Sequence, residues 1–152
     1  LPSSEEYLKN GIISSSLLVV STLLFYLLGH GRNDNNIIGL NKYLDMATST
    51  ATILRLWDDL GCAKDENQDG NDWSFIECYL KEHEGSSIES ARETMNMLIS
   101  NAWKCLNEKC LSHHHFSQHL IEACLNLARM VPLMYSYDDD HRLLDLERLI
   151  QV

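Results

Sequence analysis

Apolar positions recur three and four residues apart along most of this chain, and no clear run alternates in twos. That pattern predicts helices and no sheet. Roughly six helical segments follow from it. The first opens near Glu5, with Ser3 and Glu6 spaced as a capping box, and runs to Gly29. The second covers about Asn36 to Asp65, with a bend or break expected in the Asp45–Ser49 stretch, Gly61 weakening its end and Gly70 lying beyond it. The third begins after Asp72, the expected N-cap, and stops at Gly85. The fourth opens with a second box, Ser86 and Glu89, and ends before Ser112. The fifth runs from about Ser117 to Tyr137, with Pro132 expected to kink it. The sixth is the C-terminal Leu143–Val152.

Positions 11–29 carry no charge over about the length that spans a bilayer. A single-pass anchor is therefore one reading. Five of those nineteen residues are Ser or Thr, and the segment follows a polar, capped start. A helix buried on all sides looks equally apolar, and that reading is preferred. Glu5 and Glu6 stand where a signal peptide needs basic residues.

Composition narrows the class. At 152 residues the chain is one domain or part of one, and 45% hydrophobic content suffices for a core. Only Pro2 and Pro132 interrupt helix formation. Twelve basic against 22 acidic residues give a net charge of −10, which argues against nucleic acid and anionic membrane surfaces as partners. The five cysteines, Cys62, Cys78, Cys105, Cys110 and Cys124, form no Cys-x-x-Cys pair and read as reduced residues. Cys105, Cys110 and His113–His115 have a loose zinc-like spacing, which is set below a solvent-exposed loop. Trp57, Trp73 and Trp103 are assigned to core packing.

One stretch carries chemistry. Arg55, Asp58, Cys62 and Glu66 are spaced three, four and four apart, so they share one helix face. A cation and two carboxylates suit a dry core poorly. They suit a divalent metal and an anionic group held together. Asp58 to Glu66 spans roughly 12 Å of helix rise, so one ion between them requires a distorted helix end or bridging waters.

The run Asp58-Asp59-Leu60-Gly61-Cys62-Ala63-Lys64-Asp65-Glu66, with Arg55 three residues ahead, resembles the second metal-binding motif of class I terpene synthases. The likeness extends over most of the chain. Ser3–Leu8 followed by Ile12–Ser16 is similar to the family helix with a polar break beside the active site. Asp72–Glu82, Ala91-Arg92, Ala102–Lys104, Asn126–Arg129 and Tyr135–Asp140 follow in the family's order. The wording of Asp58–Gly70 and Met130–Tyr137 is most like the plant subgroup making linalool and nerolidol. The resemblance implies an all-α fold, the C-terminal half of a class I terpenoid synthase helical barrel. Residues 1–152 would then be a partial metal-binding domain, truncated on its N-terminal side.

The same resemblance implies roles. Asp58, Cys62 and Glu66 would hold Mg2+, with Mn2+ as the alternative cation. Cys62 departs from the family's hydroxyl residue, and a thiol is a soft ligand for a hard ion. Arg55 would contact the diphosphate of geranyl or farnesyl diphosphate. Ser15 and Ser16 would line the substrate site, Tyr135 its wall, and Asp139 its lid. The implied reaction is ionisation to an allylic cation captured by water, giving an acyclic alcohol such as linalool or nerolidol, in the cytoplasm or a plastid. The family's Asp-Asp-x-x-Asp and Arg-x-Arg are absent from these 152 residues. The isolated chain is therefore expected to be inactive and to expose apolar surface. The alternatives are a non-catalytic helical remnant and a small membrane-anchored helical protein.

Overall fold

A computed structural model describes residues 1–30, 36–62, 74–112 and 116–135, with the side chains of Asn36 and Cys62 outside that description. Among the described residues there are six helices and no strand: α1 (Ser4–Ser14), α2 (Ser16–Leu27), α3 (Asn36–Cys62), α4 (Phe75–Glu82), α5 (Ile88–Ser112) and α6 (Gln118–Tyr135). The expected segment at Leu143–Val152 lies outside the described residues. The count of six arises because the first expected helix is two.

That division falls at Ser15, whose backbone is extended at φ −66° and ψ 139°. Its hydroxyl donates to the Ile12 carbonyl at 2.8 Å, and the Ser14 hydroxyl donates to the Gly11 carbonyl at 3.2 Å. Serine hydroxyls that satisfy local carbonyls compete with the helical ladder, so adjacent serines are a natural place for it to stop. The two helices are bent by 41° at this break. Among the described residues no single helix is long and apolar enough to cross a membrane, although α1 and α2 pass that test together by length and composition.

The ends of the helices follow their side chains. The Ser3 hydroxyl accepts from the Glu6 N–H at 3.1 Å, and Glu6 accepts from the Ser3 N–H at 3.1 Å, forming the expected capping box. Two other caps are displaced from expectation. α4 is capped by Ser74, not Asp72, because Ser74 and Glu77 exchange the same reciprocal bonds. α5 starts one residue later than a Ser86 cap would give: the Ser87 hydroxyl accepts from Ser90 N–H at 3.2 Å. α6 passes through Pro132 and continues to Tyr135. The proline has no N–H to offer the Ala128 carbonyl.

α3 is the central element, packed against each of the other five helices. No break occurs at Asp45–Ser49: α3 is one continuous helix of 27 residues. Met46 and Ala47 within that stretch, and Tyr43 and Thr50 flanking it, are fully buried. Its polar groups are absorbed without opening the ladder. Thr48 donates to the Leu44 carbonyl at 2.8 Å, and Lys109 Nζ reaches the Asp45 carbonyl at 2.7 Å.

Two buried clusters result. One gathers α2, α3, α5 and α6 around Tyr43, Met46, Leu106 and Leu120; the other gathers α3, α4 and α5 around Leu56, Phe75 and Met95. Trp57 and Trp103 pack against both, consistent with a core role. α2 differs from the helix buried on all sides. It packs chiefly against α3 and also against α6, burying Leu17, Ser21 and Phe25. Val19, Leu23 and Leu27, four residues apart, are 63%, 56% and 80% exposed.

Candidate functional site

The C-terminal half of α3 carries the candidate chemistry. Arg55 and Asp58, three residues apart, form an ion pair with Nη1 3.5 Å from Oδ2; each side chain is about one-third exposed (31% and 34%). This is the cation–carboxylate stripe expected from spacing. Its continuation is not visible: the Cys62 side chain, Glu66 and Asp139 lie outside the described residues.

Helical geometry turns Asp59 about 100° away from Asp58, onto the face that also buries Leu56, and Asp59 is only 5% exposed. A carboxylate there needs donors, and it has three. Its Oδ1 accepts from the Tyr7 hydroxyl at 3.0 Å and lies 3.3 Å from Arg55 Nη2. Its Oδ2 accepts from the Phe75 N–H at 2.9 Å, at the first turn of α4, where a negative charge also meets the positive end of the helix dipole. Burial pushes the Asp59 carboxyl above its ordinary value, against the opposing pull of Phe75 N–H, Arg55 and Tyr7.

Arg55 is held from a second side by α1. Its Nη2 donates to the Tyr7 hydroxyl, and its guanidinium carbon stands 4.9 Å from the Tyr7 ring centroid, a cation–π arrangement. One turn along α1, a Cβ on Gly11 would lie 3.0 Å from Cγ, Cδ and Nε of Arg55, so glycine makes room for the arginine stem. Burial opposes the charge on Arg55, but Tyr7, Asp59 and Asp58 outweigh it and raise its pKa. Burial also moves the Tyr7 phenol up to about 12.

The remaining expected residues distribute as follows. Tyr135 is half-buried at the end of α6, packed against the larger cluster and against Gly61 near the end of α3. The Ser15 hydroxyl is engaged at the α1–α2 break; Ser16 is exposed at the start of α2. For the loose zinc set, Cys105 is exposed and the Cys110 thiol donates to Met46 Sδ at 3.5 Å, while His113–His115 lie outside the described residues. Among the described residues no group of three or more His, Cys, Asp or Glu could hold a metal ion.

Tyr7, Gly11 and Asp59 were not singled out from sequence. A signal existed: Asp59 is three residues from buried Leu56, and Tyr7 and Gly11 are one turn apart.

Residues 1–105 match the model of the terpene synthase family, metal binding domain. The chain is 58% identical over 147 residues to probable terpene synthase 13 of Ricinus communis, covering 97% of this chain and 26% of that protein. It is 52% identical over 145 residues to the chloroplastic S-(+)-linalool synthase of Arabidopsis thaliana, covering 95% and 26%. Among solved structures, isoprene synthase from grey poplar (Populus x canescens), in complex with three Mg2+ ions and dimethylallyl-S-thiolodiphosphate, superposes with a TM-score of 0.79 at 30% identity, covering 97% of this chain and 28% of that one. The chain thus spans about a quarter of the length of the relatives it matches.

Proposed function

The chain belongs to the terpene synthase family, and from that premise we propose that it carries the second metal-binding half of a site that ionises a prenyl diphosphate. The observation that carries this reading is the Arg55–Asp58 pair on α3: a basic group for an anion beside a carboxylate for a cation, within the stretch that matches the family. Asp58 is a hard oxygen donor at a partly exposed position, which suits Mg2+ or Mn2+. Asp59 does not compete for the ion, because both its oxygens are engaged, one by the part-buried Tyr7 hydroxyl and the other by the buried Phe75 N–H.

In this reading Asp58 and Glu66 hold Mg2+, with Cys62 a weak contributor. Held there, the ion would supply positive charge to offset the negative charge of the leaving diphosphate. Arg55 binds a diphosphate oxygen and supports the same charge as it develops. Ser15 and Ser16 border the substrate, Tyr135 forms part of an apolar wall, and Asp139 lies on the lid that keeps water out. The substrate is geranyl or farnesyl diphosphate and the product an acyclic alcohol of the linalool or nerolidol type. The relatives that support this product class are the linalool synthase of Arabidopsis thaliana and an (E)-nerolidol synthase of Cannabis sativa. A plastid location is favoured by the chloroplastic relatives. The 152 residues hold no Asp-Asp-x-x-Asp, so they bind diphosphate without turning it over.

Calorimetry of farnesyl diphosphate binding to this chain, with and without Mg2+, tests the reading. Mg2+-dependent binding that disappears in the double variant Asp58→Ala, Glu66→Ala is expected. Binding that persists in that variant, or none by the folded wild-type chain, rejects it. Turnover of either substrate by this chain alone would refute the expected inactivity.

A further inference from the structure

α1 meets the functional face of α3 through one arginine, and three features of that meeting act in the same direction. The Tyr7 ring lies beside the Arg55 guanidinium at 4.9 Å and its hydroxyl accepts from Nη2. Gly11 leaves open the volume through which the Arg55 stem passes. Asp59 stands 3.3 Å from the same Nη2 and is itself fixed by the Tyr7 hydroxyl and the Phe75 N–H. Nη2 is thereby committed to the interior, and Nε is buried. Nη1 is the edge left beside partly exposed Asp58.

We infer that Tyr7 and Asp59 are positioning residues, which clamp Arg55 so that its Nη1 edge is presented in one orientation to a phosphate group. The inference rests on the reading of Arg55 as the diphosphate contact. An unheld arginine would lose its rotamer freedom on binding; a clamped one has already lost it, and binding is correspondingly tighter. The clamp has a distinctive sign. Asp59 is an anion near an anion-binding group, so by charge alone its removal would tighten diphosphate binding. As a positioning residue, its removal must weaken it.

The probe is inorganic diphosphate with Mg2+, titrated calorimetrically into the full chain. Tyr7→Phe and Asp59→Asn are each expected to weaken binding about tenfold, the scale of one lost hydrogen bond to a charged group. Ser87→Ala removes the cap of α5, which touches none of Arg55, Tyr7, Asp59 and Phe75, and is expected to leave binding unchanged. Tighter binding in Asp59→Asn, no change in Tyr7→Phe, or an equal loss in Ser87→Ala each overturns the inference. Tyr7→Phe removes one oxygen only and decides the matter should Asp59→Asn not fold. A second readout needs no ligand. In the chain labelled with 15N-arginine, the Arg55 Nε–H resonance, assigned through Arg55→Lys, is expected to be distinct from free arginine and to move to the free position in both variants. A free-like signal in the wild type overturns the inference. An Arg55 held in the wild type and released in both variants, with no diphosphate bound, upholds the clamp and rejects the diphosphate reading.

Discussion

Tyr135 closes directly on Gly61: a Cβ at position 61 would sit 3.1 Å from Cδ1 and 3.5 Å from Cβ of the tyrosine. The end of α6 is thus set against α3 one residue before Cys62, and a glycine gauges the distance. Gly61→Ala is expected to be nearly neutral for stability. Alanine returns about 1 kcal/mol of helix propensity, and the tight contact opposes it. Gly61→Leu has no such balance and is expected to destabilise by about 1–3 kcal/mol. Urea unfolding followed by circular dichroism measures both. An unchanged midpoint for the leucine variant would refute the contact.

Gly11 gives a different expectation. An added methyl there meets the stem of Arg55 at 3.0 Å, and that stem is pinned by Tyr7 and Asp59. Gly11→Ala is expected to hold or slightly raise thermal stability through helix propensity, while weakening Mg2+-dependent binding of inorganic diphosphate. Unchanged affinity would show that Arg55 yields without consequence.

The contact between α1 and α4 should be visible in acid. Glu82 Oε2 accepts from both the Ser4 hydroxyl at 2.7 Å and the Ser4 N–H at 3.0 Å. These bonds hold its carboxyl below the ordinary 4.5. A lowered folded-state value means that the unfolded chain binds more protons as pH falls. The contribution is therefore full above about 4.5 and is lost as pH falls through the lowered value. Wild type is expected to exceed Glu82→Gln in stability at pH 7, with the gap closing by pH 3. A gap independent of pH would contradict this.

Thiol reactivity should separate by depth. The Cys124 thiol is 1% exposed and burial moves it up to about 11, whereas Cys105 lies on the surface of α5. Alkylation is carried by the thiolate and needs access. Iodoacetamide at pH 8 is expected to label Cys105 within the native state and Cys124 only on unfolding. Mass mapping of early labelling at Cys124 would contradict the packing of α6 on α3.

The helical character of the chain was legible because three-and-four spacing is a local property, as was the Ser3–Glu6 box. Cap positions were less so. Asp72 and Ser74, or Ser86 and Ser87, offer similar side chains within two residues, and the choice depends on which one the helix packs against. The Arg55–Asp58 stripe could be read because it lies on one helix. The burial of Asp59 could not, since its donors come from Tyr7, 52 residues upstream, and Phe75, 16 residues downstream. Its neighbour Asp58 has the same side chain, and only tertiary context separates an interior hub from a candidate ligand. The continuity of α3 through Asp45–Ser49 is tertiary in the same way: Lys109, from α5, supplies a donor to the Asp45 carbonyl.

Trp57 and Trp103, each partly buried, pack against both buried clusters. A side chain that size cannot keep its contacts on one side while the other side dissolves, because cores are close-packed and a gap of under 1 Å already forfeits much of the attraction. The two clusters therefore share walls and are expected to unfold as a single cooperative unit. Arg55 and Asp58 flank Trp57 in sequence on α3, so the orientation of the candidate site is maintained for as long as that unit stands and is lost with it in one step.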